Sequence, residues 1–465
     1  MEKTLSTKAE VSYGLSAVGK DMMFMLTGSY VLYYFQDVLG ASAWAMGVIL
    51  LCARIFDAFN DPIMGVITAK TKTKWGKFRP WLLVGTGLNS LITVIMFAGP
   101  KDMSPKGLVA YAAITYILWG VTYTMADIPF WSMVPSMTTP GKERERLTQV
   151  GRTCATIGGA IVTVAAMVCV MALGNGDERV GFRWYALIIS AFTFVAILGV
   201  CFTMKEKSTE NIETTSVKYM FKALFKNDQA LTMALTIILI NTAFYITANL
   251  AIYFYKYAIG GEGWYNNYTM FAVVGGSFQA LSMIFFFPLL RKRMRAISVF
   301  KTALVGAAIG YVIFTIIVFL HLHHYFLYIP AAIIFSCNGL LMVLLTIFLA
   351  DSVDYGEYKN GNRDESVIFS IQTLVVKFAS GVSALVASIC ISTFHISKDT
   401  SHVAGQLLQG SALRGLEITI TIVPMIIFIF AAIVFFKKYN LTEEKMETIT
   451  TALNERKENK DTEGE

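Results

Sequence analysis

The stretch Arg54–Gly65, RIFDAFNDPIMG, places two aspartates and an arginine inside a run that otherwise reads as a membrane helix. An Asp, Lys or Arg at the centre of a membrane helix costs roughly 2.5–3.5 kcal/mol on insertion scales. Such groups face the bundle interior and mark an ion or substrate path. Asp57 and Asp61 are four residues apart, so they share one helix face at about 6 Å, with Asn60 on its flank. Two carboxylates that close in a low dielectric cannot both stay ionised without a cation, or one takes up a proton. A hard monovalent cation with oxygen ligands from Asp57, Asn60 and Asp61 resolves the repulsion, and so does a proton. The competing reading is a static salt-bridge network with Arg54 and Lys377. Buried ion pairs stabilise weakly, and an apolar swap often serves as well.

The rest of the chain fits that setting. It is 55% hydrophobic and only 15% charged over 465 residues, against about a quarter charged for soluble chains. Twelve apolar runs, near 13–36, 41–69, 81–98, 108–136, 149–172, 182–204, 230–257, 265–290, 298–320, 325–350, 366–393 and 413–437, are long enough for a hydrocarbon core of about 30 Å. The expectation is an all-α integral membrane protein of twelve transmembrane helices in two six-helix bundles. The first run has no cleavage-site pattern, so it is read as a span and not a signal peptide.

The net charge of +7 is first a topology signal. Lys70, Lys72, Lys74, Lys77 and Arg79 crowd one loop, Lys142, Arg144 and Arg146 another, Lys205, Lys207, Lys218, Lys222 and Lys226 a third, and Arg291, Lys292, Arg293 and Arg295 a fourth. The alternate loops are poor in basic residues, and the positive-inside rule then puts both termini in the cytoplasm. Basic clusters spaced by membrane spans are not a nucleic-acid face, so no nucleic-acid partner is expected. The polar segment from Lys205 to Asp228 divides the chain into an N-terminal bundle over 1–204, a cytoplasmic middle loop over 205–228, a C-terminal bundle over 229–439 and a tail over 440–465. Ala-Asp followed by an aromatic and a mixed-charge loop recurs at MADIPFWSMVPS and LADSVDYGEYKN. A parallel repeat of the kind that builds transporters leaves this trace. The tail alternates basic residues with Glu and is expected to be partly helical, then disordered.

Other ionisable groups lie within the runs: Lys20, Asp21, Asp127, Arg152 and Lys377. In YTMADIPFW, Tyr123, Asp127 and Trp131 are successive turns of one face, and Thr124 precedes Asp127 by three. A carboxylate beside an indole holds a sugar well: the carboxylate accepts from vicinal hydroxyls and the ring packs on the apolar C–H face. Arg152 can pair with Asp127 or donate to hydroxyl oxygens, and Lys20–Asp21 completes a polar ring. Glu417 reads as interfacial. GLSAVGKD, Gly14 to Asp21, is one residue short of a phosphate loop; Asp21 stands where Ser or Thr must hold magnesium, which removes an ATP-driven pump. The six cysteines have no metal or redox spacing and read as small buried residues. His321, His323 and His324 read as a wet helix end rather than a metal site.

FDAFNDPIMG with KTKWGKFRPW, DIPFWSMVP with KERERL, and DSVDYGEY with SIQTLVVK together resemble the glycoside–pentoside–hexuronide:cation symporters of the major facilitator superfamily, from about Tyr13 to Tyr439. The resemblance implies cation-coupled symport of a glycoside or oligosaccharide by alternating access across the bacterial inner membrane, by a protein that functions as a monomer. Its partners are a small sugar, a monovalent cation and the lipid bilayer; no cofactor is expected beyond the coupling cation, Na+, Li+ or H+. It implies a cation set of Asp57, Asn60, Asp61 and Thr124, suited to Na+ or Li+ alone among metals. It implies a sugar set of Lys20, Asp21, Asp127, Trp131 and Arg152, with Gln372, Thr373 and Lys377 from the C-terminal half; Tyr123 joins the set as a substrate-binding candidate from its place on the Asp127 face. Gly28, Met342 and Tyr245 depart from the family pattern, so an α-galactoside, a glucoside, a pentoside or a short β-linked oligosaccharide all fit, and a hexuronide fits less well.

The alternative is a proton-coupled transporter of another solute, a pentoside, a hexuronide or an amphipathic compound; an exporter of amphipathic compounds calls for a broad apolar cavity with one buried acid. A non-transporting sugar sensor calls for a cytoplasmic signalling domain that no run here supplies. No nucleophile–base pair suggests an enzyme.

Overall fold

The computed structural model describes residues 6–100, 102–138, 142–204, 222, 224–361, 365–396 and 407–463. Among them every regular element is helical: α1 Thr7–Tyr33, α2 Ala43–Lys70, α3 Arg79–Met96, α4 Pro105–Met137, α5 Lys142–Leu173, α6 Glu178–Thr203, α7 Asp228–Tyr253, α8 Trp264–Leu281, α9 Ala296–Phe319, α10 Tyr328–Asn360, α11 Glu365–Thr393, α12 Gly410–Lys438 and α13 Glu443–Glu463. Short polar residues set several starts by accepting from the first-turn amides: Ser6 from Ala9, Ser42 from Ala45, Ser104 from Gly107, Asp177 from Arg179 and Asn227 from Ala230. Pro62 lies inside α2 directly after Asp61, so the helix lacks the amide that would donate to the Ala58 carbonyl.

Ten of these helices are long and apolar enough to cross a membrane, fewer than the twelve expected. The two that fall short are α1 and α3. Lys20 and Asp21 interrupt α1, and α3 is 18 residues long and opens on Arg79. The chain divides into two compact units, Met1–Thr214 with Ile391–Gln406, and Thr215–Cys390 with Leu407–Glu465. Most of the middle loop expected over 205–228 lies outside the described residues, and α7 begins at Asp228.

In the first unit α1 packs on α5 and α6, α2 on α4, and α3 on α4 and α6. In the second, α7 packs on α12, α8 on α10, and α9 on α10 and α12. Four pairings thus recur six helices later, the internal repeat that the Ala-Asp segments suggested. Small residues bring α1 in: a Cβ on Gly19 would lie 2.8 Å from the Thr193 hydroxyl, and one on Gly158 only 2.2 Å from the Val18 carbonyl oxygen. GLSAVGKD is therefore a close-packing stripe within a helix. The Tyr13 ring stacks on Phe130 at 4.4 Å, and its hydroxyl donates to the Phe130 carbonyl, which ties α1 to α4.

Glu417, read as interfacial, is enclosed by side chains, its own 1% exposed, between Arg414 of the same helix at 3.2 Å and His321 at 3.5 Å just past the end of α9. One further expectation changes. The tail is helical to Glu463 rather than disordered past its apolar residues. Leu441, Ile449 and Leu453 are buried, α13 packs on α10, and two ion pairs hold it, Arg291–Glu443 at 2.8 Å and Arg295–Glu444 at 2.7 Å.

Two predictions follow from this packing. Gly158→Ala forces a methyl into the α1 backbone, and overpacking costs about 1–3 kcal/mol; the purified protein should melt at a lower temperature, whereas Gly276→Ala, with nothing near its Cβ, should not change it. The Glu443 carboxyl is held below its ordinary value of 4.5 by the Ala296 amide, with Arg291 adding to it. A depressed carboxylate contributes stability above its unfolded value and loses it as pH falls through the folded value. Docking of α13 should therefore be intact at neutral pH and weaken below about pH 4.5, read as faster amide hydrogen exchange over α13; exchange that does not respond to acid would show that the ion pairs do not hold it.

Candidate functional site

The ionisable groups of the first unit gather along one face of α4. Lys20 of α1 is sealed, its side chain 6% exposed, and its ammonium donates to Asp127 at 2.6 Å and to the Tyr123 hydroxyl at 3.1 Å. Asp21 lies 3.4 Å from the same ammonium. Aromatic rings enclose it, with Tyr123 at 5.3 Å, Trp131 at 5.4 Å and Phe130 at 5.7 Å, an arrangement that favours a desolvated cation. Asp127 also accepts from the Trp131 indole at 3.2 Å and from Tyr123 at 3.4 Å. Its side chain is 27% exposed, so a ligand can reach the carboxylate while the lysine stays covered.

The sequence offered Arg152 as the partner of Asp127. Lys20 takes that place, and the Arg152 guanidinium lies over the Trp131 indole at 4.1 Å instead. A sugar ring can pack on that indole face only if Arg152 moves aside.

The cation candidates lie beside this cluster on α2 and α4. Thr124 donates to Asp61 at 2.9 Å. Asp57 is buried and pairs with Arg54 at 3.3 Å, both side chains 7% exposed. Asn60 keeps its amide nitrogen buried without a hydrogen-bond partner. Asp57, Asp61 and Thr124 provide hard oxygens, and the Asn60 carbonyl adds a fourth, a donor set that fits a small monovalent cation. Among the described residues no group of three His, Cys, Asp or Glu side chains could hold a metal ion, the three histidines included.

Gln372, Thr373 and Lys377 lie on α11 of the second unit. Gln372 donates to Thr346 at 3.5 Å, Thr373 is exposed, and Lys377 is half-buried with its carbonyl accepting from Ser380. Sequence reasoning found Tyr123 but missed the rings that wall it in: Tyr116, Trp119 and Tyr123 stack at 5.9 and 5.2 Å, and Phe24 packs on Tyr123 at 5.2 Å. Their spacing of three to four along α4 was the available signal, since it continues to Asp127 and Trp131.

Membrane transporters keep charge of this kind inside apolar bundles, and similarity to known proteins places this one among them. The chain belongs to the MFS/sugar transport protein family, whose model it matches over residues 12–443. It is 30% identical over 464 residues to the raffinose carrier protein of Pediococcus pentosaceus, covering 95% of this chain and 70% of the carrier. It is 28% identical to the isoprimeverose transporter of Lactiplantibacillus pentosus, covering 94% and 89%. The fold is also that of the nucleoside transporter NupG, with a TM-score of 0.60 at 12% identity over 92% of this chain and 99% of that one. It is thus a multi-pass membrane transporter and not an enzyme.

The Lys20–Asp127 pair yields a test of its own. Removing one partner of a buried pair costs about 3–5 kcal/mol, whereas replacing both by apolar groups is often neutral. Asp127→Asn should lower the thermal midpoint of the purified protein, and the double variant Lys20→Met, Asp127→Leu should recover most of the loss. A double variant that melts below Asp127→Asn would show that the pair itself, and not the stranded lysine, carries the stability.

Proposed function

We propose that the protein is a cation-coupled sugar symporter, carrying a glycoside or short oligosaccharide with Na+, Li+ or H+ across the bacterial inner membrane by alternating access. In this reading α1 and α3 also span the membrane, twelve spans in two six-helix bundles with both termini cytoplasmic, and the carrier works as a monomer. The observation that carries it is the adjacency on α4: Thr124 bonds Asp61 of the cation set, and one turn on Asp127 gathers Lys20, Tyr123 and Trp131 of the sugar set.

Each group then has a role. A cation at Asp57 and Asp61 relieves the repulsion between them and fixes α2 against α4 through Thr124. Ordering that part of α4 preorders Asp127, which accepts from sugar hydroxyls, with Asp21 beside it. Trp131 offers its ring face, and Arg152, released from the indole, donates to hydroxyl oxygens. Gln372, Thr373 and Lys377 contribute as the family resemblance implies. Coupling of this kind is typically worth about 1–3 kcal/mol and acts in both directions, so each ligand should tighten the other. The names of the raffinose and isoprimeverose relatives point to a substrate with a glycosidic bond.

Uptake of a panel of glycosides into proteoliposomes, with and without a Na+ or proton gradient, tests this reading. Asp57→Cys should abolish cation-stimulated uptake and keep some sugar binding. Asp127→Cys should lose sugar binding and still bind cation. The reverse pattern would mean that the two sites are exchanged, and uptake indifferent to every cation gradient would leave only a passive facilitator.

A further inference from the structure

We propose that the seam between α9 and α12 is a binding site for one anionic phospholipid, held by Lys301 and Lys437. The two helices are both long and apolar enough to cross a membrane, and they pack on each other. At the end where α9 begins and α12 stops, the Phe300 ring lies 4.3 Å from the Phe435 ring. Beside that contact the Lys301 ammonium sits 5.4 Å from the centroid of the Phe436 ring, and both residues are exposed. Lys301 is the sixth residue of α9, about 7.5 Å along the axis from its start. Among the described residues no carboxylate pairs with it. A charged group inside a span is costly without a partner.

Two apolar stripes lead away from this end. On α9, Val305 and Val312 are exposed and follow Lys301 by four and by eleven residues, so all three share one helix face. On α12, Ile433 is exposed and precedes Lys437 by four residues and Phe436 by three, which aligns that stripe in the same way. Each stripe faces the hydrocarbon and ends in a lysine. Lys437 has a second reason for its place, since a cation in the last turn of a helix meets the negative end of the macrodipole. Lys301, inside α9, has no such reason. A phospholipid answers both features. Its two acyl chains lie along the two stripes, and its phosphate accepts from the two ammonium groups, whose flexible stems let them rise to the headgroup level. Basic pockets between membrane helices hold anionic headgroups by this means. A zwitterionic lipid carries its own cation and gains less. The site lies wholly in the second unit, and it stands whichever solute the carrier moves.

The test titrates the purified full-length carrier, in an uncharged detergent, with phosphatidylglycerol or with phosphatidylcholine, and counts bound lipid by native mass spectrometry. The native protein should hold one phosphatidylglycerol more tightly than any phosphatidylcholine. One basic residue near an anionic surface is worth about a fivefold change in affinity. Lys301→Gln and Lys437→Gln should therefore each weaken phosphatidylglycerol about fivefold, and the double variant about 25-fold. Lys301→Arg keeps the charge and should keep the lipid. Lys74→Gln, at an exposed position in the loop between α2 and α3, should leave retention unchanged. Both substituted lysines are exposed, so the variants keep the fold. Equal retention of the two lipids by the native protein overturns the proposal, as does a double variant that holds phosphatidylglycerol at native strength. A loss as large in Lys74→Gln overturns it too, because diffuse charge attraction and not a site would then be at work.

Discussion

Charge placed inside an apolar helix must be balanced by charge on a neighbour, and that requirement arranges the first unit. Lys20 on α1 meets Asp127 on α4 at 2.6 Å. Gly19 and Gly158 seat α1 against α6 and α5, since a methyl at Gly19 would meet Thr193 of α6 and one at Gly158 would meet the Val18 carbonyl of α1. From that seat the long Lys20 side chain reaches across to α4, and Tyr13 stacked on Phe130 makes a second side-chain link between the same two helices. The glycines fix where α1 lies, and the side chains of Lys20 and Tyr13 carry its contact with α4, where a lysine is sealed against a carboxylate that remains reachable.

Helix α4 is the spine along which the two candidate sites meet. Its residues Tyr116, Trp119 and Tyr123 form a stacked aromatic ladder that continues into Asp127 and Trp131. Ring stacking along a helix limits the rotamers available to each member, so the carboxylate at the end of the ladder is held in one orientation. Thr124 points from the same turn to Asp61 on α2. A change in how α2 sits against α4 is felt at Thr124 and, through one rigid turn, at Asp127. For the coupling proposed between the two candidate sites, the physical warrant is a shared helix, which is stronger than proximity alone.

Much of this could be read from the chain itself. The apolar runs located the helices, though α10 continues ten residues past its run, to Asn360, and α5 begins seven before its own, at Lys142; the four-residue spacing of Asp57 and Asp61 put them on one face. Tyr123, Asp127 and Trp131 were legible for the same reason. What the sequence could not supply was pairing between helices. Arg152 was the basic candidate for Asp127, and only the packed structure shows the Lys20 side chain reaching that carboxylate from α1 while Arg152 lies over the indole. Glu417 looked interfacial because its own neighbours in sequence are mixed; its burial comes from His321, nearly a hundred residues away in the chain. The helical tail was missed because composition records few large apolar residues there, whereas three of them, Leu441, Ile449 and Leu453, suffice once α10 offers a surface.

The contrast between Glu417 and Asp127 separates two uses of a buried acid. Glu417 is 1% exposed, and both of its basic partners, Arg414 and His321, are about half exposed; the acid is the hidden member and the partners close over it from the surface. At Asp127 the order is inverted, with a lysine 6% exposed and a carboxylate 27% exposed. A buried acid capped by surface cations has nothing left to offer a solute, and its work is to join α12 to the end of α9. A buried cation behind a reachable carboxylate orients that carboxylate while leaving it open to approach. That polarity, basic group inward and acid outward, suits the role proposed for Asp127, which is to accept hydrogen bonds from a hydroxylated ligand and release them in every cycle.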